Sequence, residues 1–187
     1  EEGDLRWSTI RRRFWLNRPR DPQTGELRAK LFWWLIPGIL IGELVNNVLA
    51  PYLNRFLALF LPNLTTPVNS DITALAIPEF EGAWWLVAIM GVSAAFNYFL
   101  GEEFLFRGVL LPKMRGAFGK WDWVANAVLF GLYHIHWAPA ILTSIIWGLL
   151  GNWLSRRYRS TWFVIIIHGV EVIPVILGVM AVVLGLM

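Results

Sequence analysis

The chain has 187 residues, enough for one domain, and only 16% of them are charged, against about 25% in an ordinary soluble domain. It contains no cysteine, which excludes disulfides, thiolate metal sites, iron–sulfur clusters and a cysteine nucleophile. With 57% hydrophobic residues, a mean hydropathy of +0.54 and a net charge of +3, it reads as an integral membrane protein of the all-α class, a polytopic helical bundle.

Residues 1–30 form a basic arm carrying Arg6, "RRR" at 11–13, Arg18, Arg20, Arg28 and Lys30. Trp7, Phe14, Trp15 and Leu16 interleave with these cations, a pattern suited to an anionic membrane surface and not to nucleic acid. Within the arm, "NRPRDPQTGE" reads as a loop. The transmembrane helical domain is expected over 31–187. Its first span is 31–50, too polar at Glu43, Asn46 and Asn47 for the core of a cleaved signal peptide. Residues 51–61 are apolar but short and contain Arg55, and read as an interfacial or re-entrant helix. A loop at 62–82 carries Asp71, Glu79 and Glu81 and no Lys or Arg. Further spans are expected at 83–111, 121–137, 139–154 and 162–187, the last kinked by Pro174. Short basic segments lie at 113–120 and 156–159. Twelve Trp and four Tyr suit interfacial belts.

These five spans alternate consistently when every basic segment is cytoplasmic and the acidic loop is outside. The N-terminus is then cytoplasmic and the C-terminus on the opposite side. A bacterial inner membrane is the expected location.

Ionisable side chains within spans are costly and mark interior or functional positions. Glu103 and Arg107 are four apart, on one helical face, and form a supporting ion pair. Glu102 points about 100° away from Glu103 and has no such partner on its own helix. It can therefore take a proton from water, the task of a general base. His134 lies one turn from Phe130, close enough for the rings to pack. His136 lies about 200° around a regular helix from His134, so the two share a site only if the helix breaks. His168 is followed by Gly169, which permits close approach. Glu102, His134 and His168 sit on three different spans and can surround one water and one carbonyl.

"EEFLFR" at 102–107, "FGLYH" at 130–134 and "HGVEV" at 168–172 occur in order on successive spans. They resemble the EExxxR, FxxxH and HxxxN motifs of the CAAX-prenyl-protease and bacteriocin-processing (Abi) family, intramembrane endopeptidases of the Ras-converting type. The resemblance covers the family-like core at 83–187. It implies that Glu102 activates a water, that His134 holds it, that His168 stabilises the oxyanion, and that Glu103 and Arg107 support the site. Val172 stands where the third motif has Asn, and Val has no hydrogen-bond donor. Asn126 and Asn152, on neighbouring spans, are the candidates to replace it. His134 also counts as deeper in the membrane than Glu102 or His168, which requires a tilt or a later helix start.

The expected function is hydrolysis of a membrane-proximal peptide bond by a Glu/His-activated water. The substrate would be a membrane-anchored peptide or protein: a prenylated C-terminus, a bacteriocin leader or a signalling protein. No cofactor is expected, although Glu with two His is also the composition of a zinc set. The alternative is a non-catalytic accessory or scaffold subunit of a larger membrane complex. In a pigment-associated variant of that reading His136 would hold a tetrapyrrole. A transporter is disfavoured because no internal repeat is evident.

Overall fold

A computed structural model describes residues 3–62 and 72–187. Asp71, and with it part of the acidic loop, lies outside the described residues. Among those described, the chain is helical with no strand, only two isolated bridges, Arg20–Leu27 and Gly116–Gly119. We number the helices α1 (Trp7–Arg13), α2 (Ala29–Phe60), α3 (Trp84–Met114), α4 (Asp122–Tyr133), α5 (Ile141–Tyr158) and α6 (Trp162–Val183). Four continuous helical runs are long and apolar enough to cross a membrane: α2, α3, the run from Asp122 to Tyr158, and α6. The protein is therefore an integral membrane helical bundle, as its composition indicates.

The third run folds back on itself. Trp137 leaves the helical region (φ −125°, ψ 59°) and Pro139 follows it, so 134–140 forms tight 3-10 turns between α4 and α5. The two helices then pack antiparallel. Asp122 pairs with Arg156, the Asn152 amide donates to the Trp123 carbonyl (2.8 Å), and Gly148 lies against Ala127. A Cβ on Gly131 would stand 2.2 Å from Ile145 and 2.9 Å from the Ile141 carbonyl, so glycine is what lets the hairpin close.

Helix α2 runs unbroken through the segment 51–61 that the sequence marks as a separate short helix. A π-helical stretch at Leu44–Leu49 precedes Pro51 and absorbs the hydrogen bond that proline cannot make. Gly38 and Gly42 bring α2 against α6: added Cβ atoms would lie 2.8 Å from Ile167 and 2.7 Å from the Glu171 carboxylate. In α3, residues Ala95–Leu110 are π-helical, the segment that carries both motif glutamates and Arg107.

The basic arm is part of the fold. After α1 the chain turns at Trp15 and threads beneath the α5–α6 junction. Thr161 donates its amide to the Trp15 carbonyl (2.9 Å) and its hydroxyl to the Phe14 carbonyl (2.9 Å). Ser160 donates to the Asn17 carbonyl and the Trp162 indole to that of Leu16. Residues 20–28 form the expected turn-rich loop, closed by an Asp21–Arg28 ion pair (3.1 Å). Two backbone amides, of Gln23 and Thr24, hold the Asp21 carboxyl below its ordinary range. Arm, 113–120 loop and α5–α6 junction gather the basic segments at one end of the bundle. Gly82 and Glu81 meet Val183 and Gly185 at the other.

The core centres on Phe106, Phe130, Trp147, Leu154, Phe163, Val164 and Ile167. It forms a packed lower half, and above it the bundle opens.

Candidate active site

Arg107 is wholly buried, so its charge must be answered locally. Its Nη1 donates to Glu103 (3.3 Å) and its Nε to the Asn152 side-chain oxygen (2.8 Å). Its guanidinium lies 3.9 Å from the centroid of the Phe130 ring and 5.3 Å from that of Trp147. The ion pair expected from the four-residue spacing is thus present, and it extends further. The same oxygen of Glu103 accepts from His168 Nδ1 at 2.8 Å. That bond holds a proton on Nδ1 and fixes the orientation of the imidazole, leaving Nε2 as its remaining polar atom.

Glu102 has a different setting. The wider turns of the π-helical segment bring both carboxylates within reach of His168. Glu102 Oε2 lies 3.9 Å from His168 Nδ1, and Oε1 lies 3.9 Å from His134 Nε2. Glu102 is 8% exposed, and Oε2 has no hydrogen-bond partner. The separations are too long for direct hydrogen bonds and suit a bridging water.

His134 stands just beyond the end of α4. Its Nδ1 donates to the Phe130 carbonyl at 2.8 Å, which turns Nε2 toward Glu102. The Phe130 ring packs on the imidazole with centroids 4.7 Å apart, as the four-residue spacing suggests. His136, expected on the opposite side of a continuous helix, is instead stacked on His134 with ring centroids 5.8 Å apart. The break before Pro139 is the cause, and the side-chain amide of Asn54 in α2 lies against the Pro139 carbonyl there.

The depth mismatch is also resolved. Helix α3 continues to Met114, so Glu102 lies twelve residues from its basic end, just as His134 lies twelve residues beyond Asp122. Helix α6 starts high in the bundle, because the arm fills the space beneath it. The Thr161 hydroxyl reaches the Arg107 carbonyl (3.4 Å), which puts His168 level with Glu103.

These residues border a cavity of about 920 Å³ lined by Glu102, His134, His136 and His168, with Glu171, Val172 and residues of α2 and α5. Aromatic side chains of Tyr98, Tyr133, Trp137 and Trp147 form much of its wall. A smaller space of about 240 Å³ lies between α3 and α6, sharing Tyr98, His168 and Val172 with the first.

Neither Asn126 nor Asn152 replaces the donor missing at Val172. Asn152 is bound to Arg107 and Trp123, and Asn126 donates to the Phe106 carbonyl (3.1 Å). Neither lines the cavity, whereas Asn46, Asn54 and Asn97 do. Glu43 accepts from Asn47 on its own helix (2.7 Å). Two residues passed over in the motifs matter to the site. Tyr98, four residues before Glu102, packs against His168 with centroids 4.6 Å apart and the rings tilted by 59°. Trp147 lies 5.0 Å from the same ring and donates its indole N–H to Glu171 (2.7 Å).

Ligand atoms of Glu102, Glu103 and His168 lie within 4.8 Å of one another, the one grouping of that kind among the described residues. It fits a resident metal ion poorly. His168 Nδ1 and Glu103 Oε1 are already bonded to each other, and Arg107 depends on that same oxygen. An ion taking those two atoms would have to break the His168 bond and compete with the buried guanidinium for Glu103.

A family model described as Rce1-like type II CAAX prenyl endopeptidase matches residues 81–173, about half of the chain. The match spans α3, the α4–α5 hairpin and α6 as far as His168, Glu171 and Val172. No curated protein and no solved structure matches the chain.

Proposed function

We propose a reaction for this chain from the premise that residues 81–173 belong to the Rce1-like type II CAAX prenyl endopeptidase family, whose kind of function is that of a CAAX-type intramembrane protease. The proposed reaction is hydrolysis of a peptide bond in a membrane-anchored substrate by a water held between Glu102 and His134. The observation that carries it is the placing of Glu102, with one oxygen 3.9 Å from each imidazole, at the wall of one cavity.

The water donates one O–H to Glu102 and the other to His134 Nε2, leaving a lone pair for the carbonyl carbon. As the C–O bond forms, Glu102 takes the water's proton. The negative charge on the former carbonyl oxygen is met by His168 as an imidazolium, which keeps its Nδ1–H on Glu103 and donates its Nε2–H to the oxygen. Glu102 then passes its proton to the amide nitrogen and the C–N bond breaks, giving a carboxylic acid and an amine. The mechanism needs no metal, since Glu103 and His168 are engaged with each other. Cleavage is accordingly expected to persist in a chelator.

The substrate proposed is a membrane-anchored peptide near its anchor, received where the bundle opens beyond its packed half. The accessory-subunit reading gains nothing from the family match. Glu102→Ala and His134→Ala are each expected to abolish cleavage of such a peptide in proteoliposomes while the protein still inserts and folds. Unchanged cleavage in both variants would remove these residues from the mechanism.

A further inference from the structure

The third motif loses an amide at Val172 and carries an acid beside it. Glu171 cannot stand in for the missing donor, because an ionised carboxylate only accepts hydrogen bonds. Nor does it belong to the group of side chains close enough to share an ion. Its position nevertheless has a definite chemistry. The Trp147 indole fixes Oε1 (2.7 Å), and Gly42 lets α2 pass directly over that pair. No hydrogen bond to Oε2 is present among the described residues. The cavity it lines contains a second carboxylate, Glu102, and, among the described residues, not one Lys or Arg. Arg107, the cation nearest in the sequence motifs, is turned away into Glu103 and Asn152. Glu102 supplies an independent sign that a ligand group belongs here: it is more than nine-tenths buried, lines the same cavity, and leaves Oε2 unpartnered.

We propose that Glu171 makes this cavity a binding site for a cationic side chain, lysine or arginine, of the peptide substrate. The inference rests on the protease reading only for the nature of the substrate as a peptide. A carboxylate pinned by an indole pays little ordering entropy on meeting an ammonium or guanidinium group, and charge-assisted bonds are the stronger kind. Tyr98, Tyr133 and Trp137 in the cavity wall supply aromatic groups of the kind such a cation accepts. Glu102 does not compete for the role, since His134 and His168 stand at 3.9 Å on either side of it.

Glu171→Gln is the informative variant. A glutamine side-chain oxygen still accepts from Trp147, so the charge leaves while the hydrogen bond stays; a melting curve checks this. Binding is read by fluorescence anisotropy in phosphatidylcholine nanodiscs, using the full chain with His134→Ala to prevent turnover. The probes are membrane-anchored peptides bearing lysine, arginine or norleucine next to the anchor. The expected result is binding of the cationic peptides about tenfold or more tighter than the norleucine peptide. Glu171→Gln is expected to erase that difference without changing norleucine binding. Equal binding of all peptides, or a preference that survives Glu171→Gln, would overturn the proposal. So would loss of the preference on adding phosphatidylethanolamine, which would assign the site to a lipid amine. Cleavage is measured separately with His134 intact: a binding preference without any cleavage would sink the protease reading and leave the cation site standing.

Discussion

On one side of α3, Glu103 is bonded by Arg107 and His168, with Asn152 behind Arg107, in the packed half of the bundle; on the other, its neighbour Glu102 borders a cavity and makes no direct hydrogen bond to either imidazole beside it. The same residue type, one position apart, is committed to structure in one place and left uncommitted in the other. The committed half fixes the ring of His168 and the axis of α3. The open half can then hold reacting groups at water-bridging distance without collapsing onto them. The order matters physically, because a buried guanidinium tolerates no loss of its partners whereas a carboxylate at a cavity wall does.

The largest effect should fall on the packed half. Arg107→Ala leaves Glu103 buried beside an empty space and is expected to cost about 3–5 kcal/mol, read by thermal or denaturant unfolding in detergent. A loss below 1 kcal/mol would mean that the network does not hold the fold. Next comes Val172→Asn, which returns a donor to the cavity wall. It is expected to raise cleavage by up to about 10²-fold, the worth of one oxyanion donor. An unchanged rate would show that the position does not face the reacting carbonyl. Gly131→Ala drives a methyl group to 2.2 Å from Ile145 and should cost about 1–3 kcal/mol, lowering cleavage as well because His134 follows three residues on. The smallest effect is Thr161→Val, which removes the hydroxyl bond to the Phe14 carbonyl. It should cost about 1 kcal/mol and speed hydrogen exchange at residues 14–17, leaving the rate of cleavage largely intact.

Much of this was legible in the residues. Apolar runs of bilayer length fixed the class, and four-residue spacing predicted both the Glu103–Arg107 pair and the Phe130–His134 contact. What escaped was set by tertiary packing. A regular helix separates His134 from His136, and only the turn at Trp137, signalled by Pro139, stacks their rings. The π-helical widening of α3 has no local sequence signature, so the convergence of both carboxylates on His168 could not be counted from α-helical angles. The arm reads as a surface segment, and nothing in "FWLN" announces that its carbonyls receive Ser160, Thr161 and Trp162. Asn152 looked like a spare donor because its partner, Arg107, lies 45 residues away.

The absence of native cysteine allows a direct test of the open half. Ser144 lines the cavity, and Ser155 is wholly buried in the packed half on the same helix. Each is converted to cysteine by a near-isosteric change, and the rate of modification by a small charged thiol reagent is measured in proteoliposomes. The account predicts rapid modification of Ser144→Cys, slowed by a bound membrane-anchored peptide, and none of Ser155→Cys. Equal inertness of the two would mean that water does not reach Glu102, and hydrolysis at this site would be contradicted.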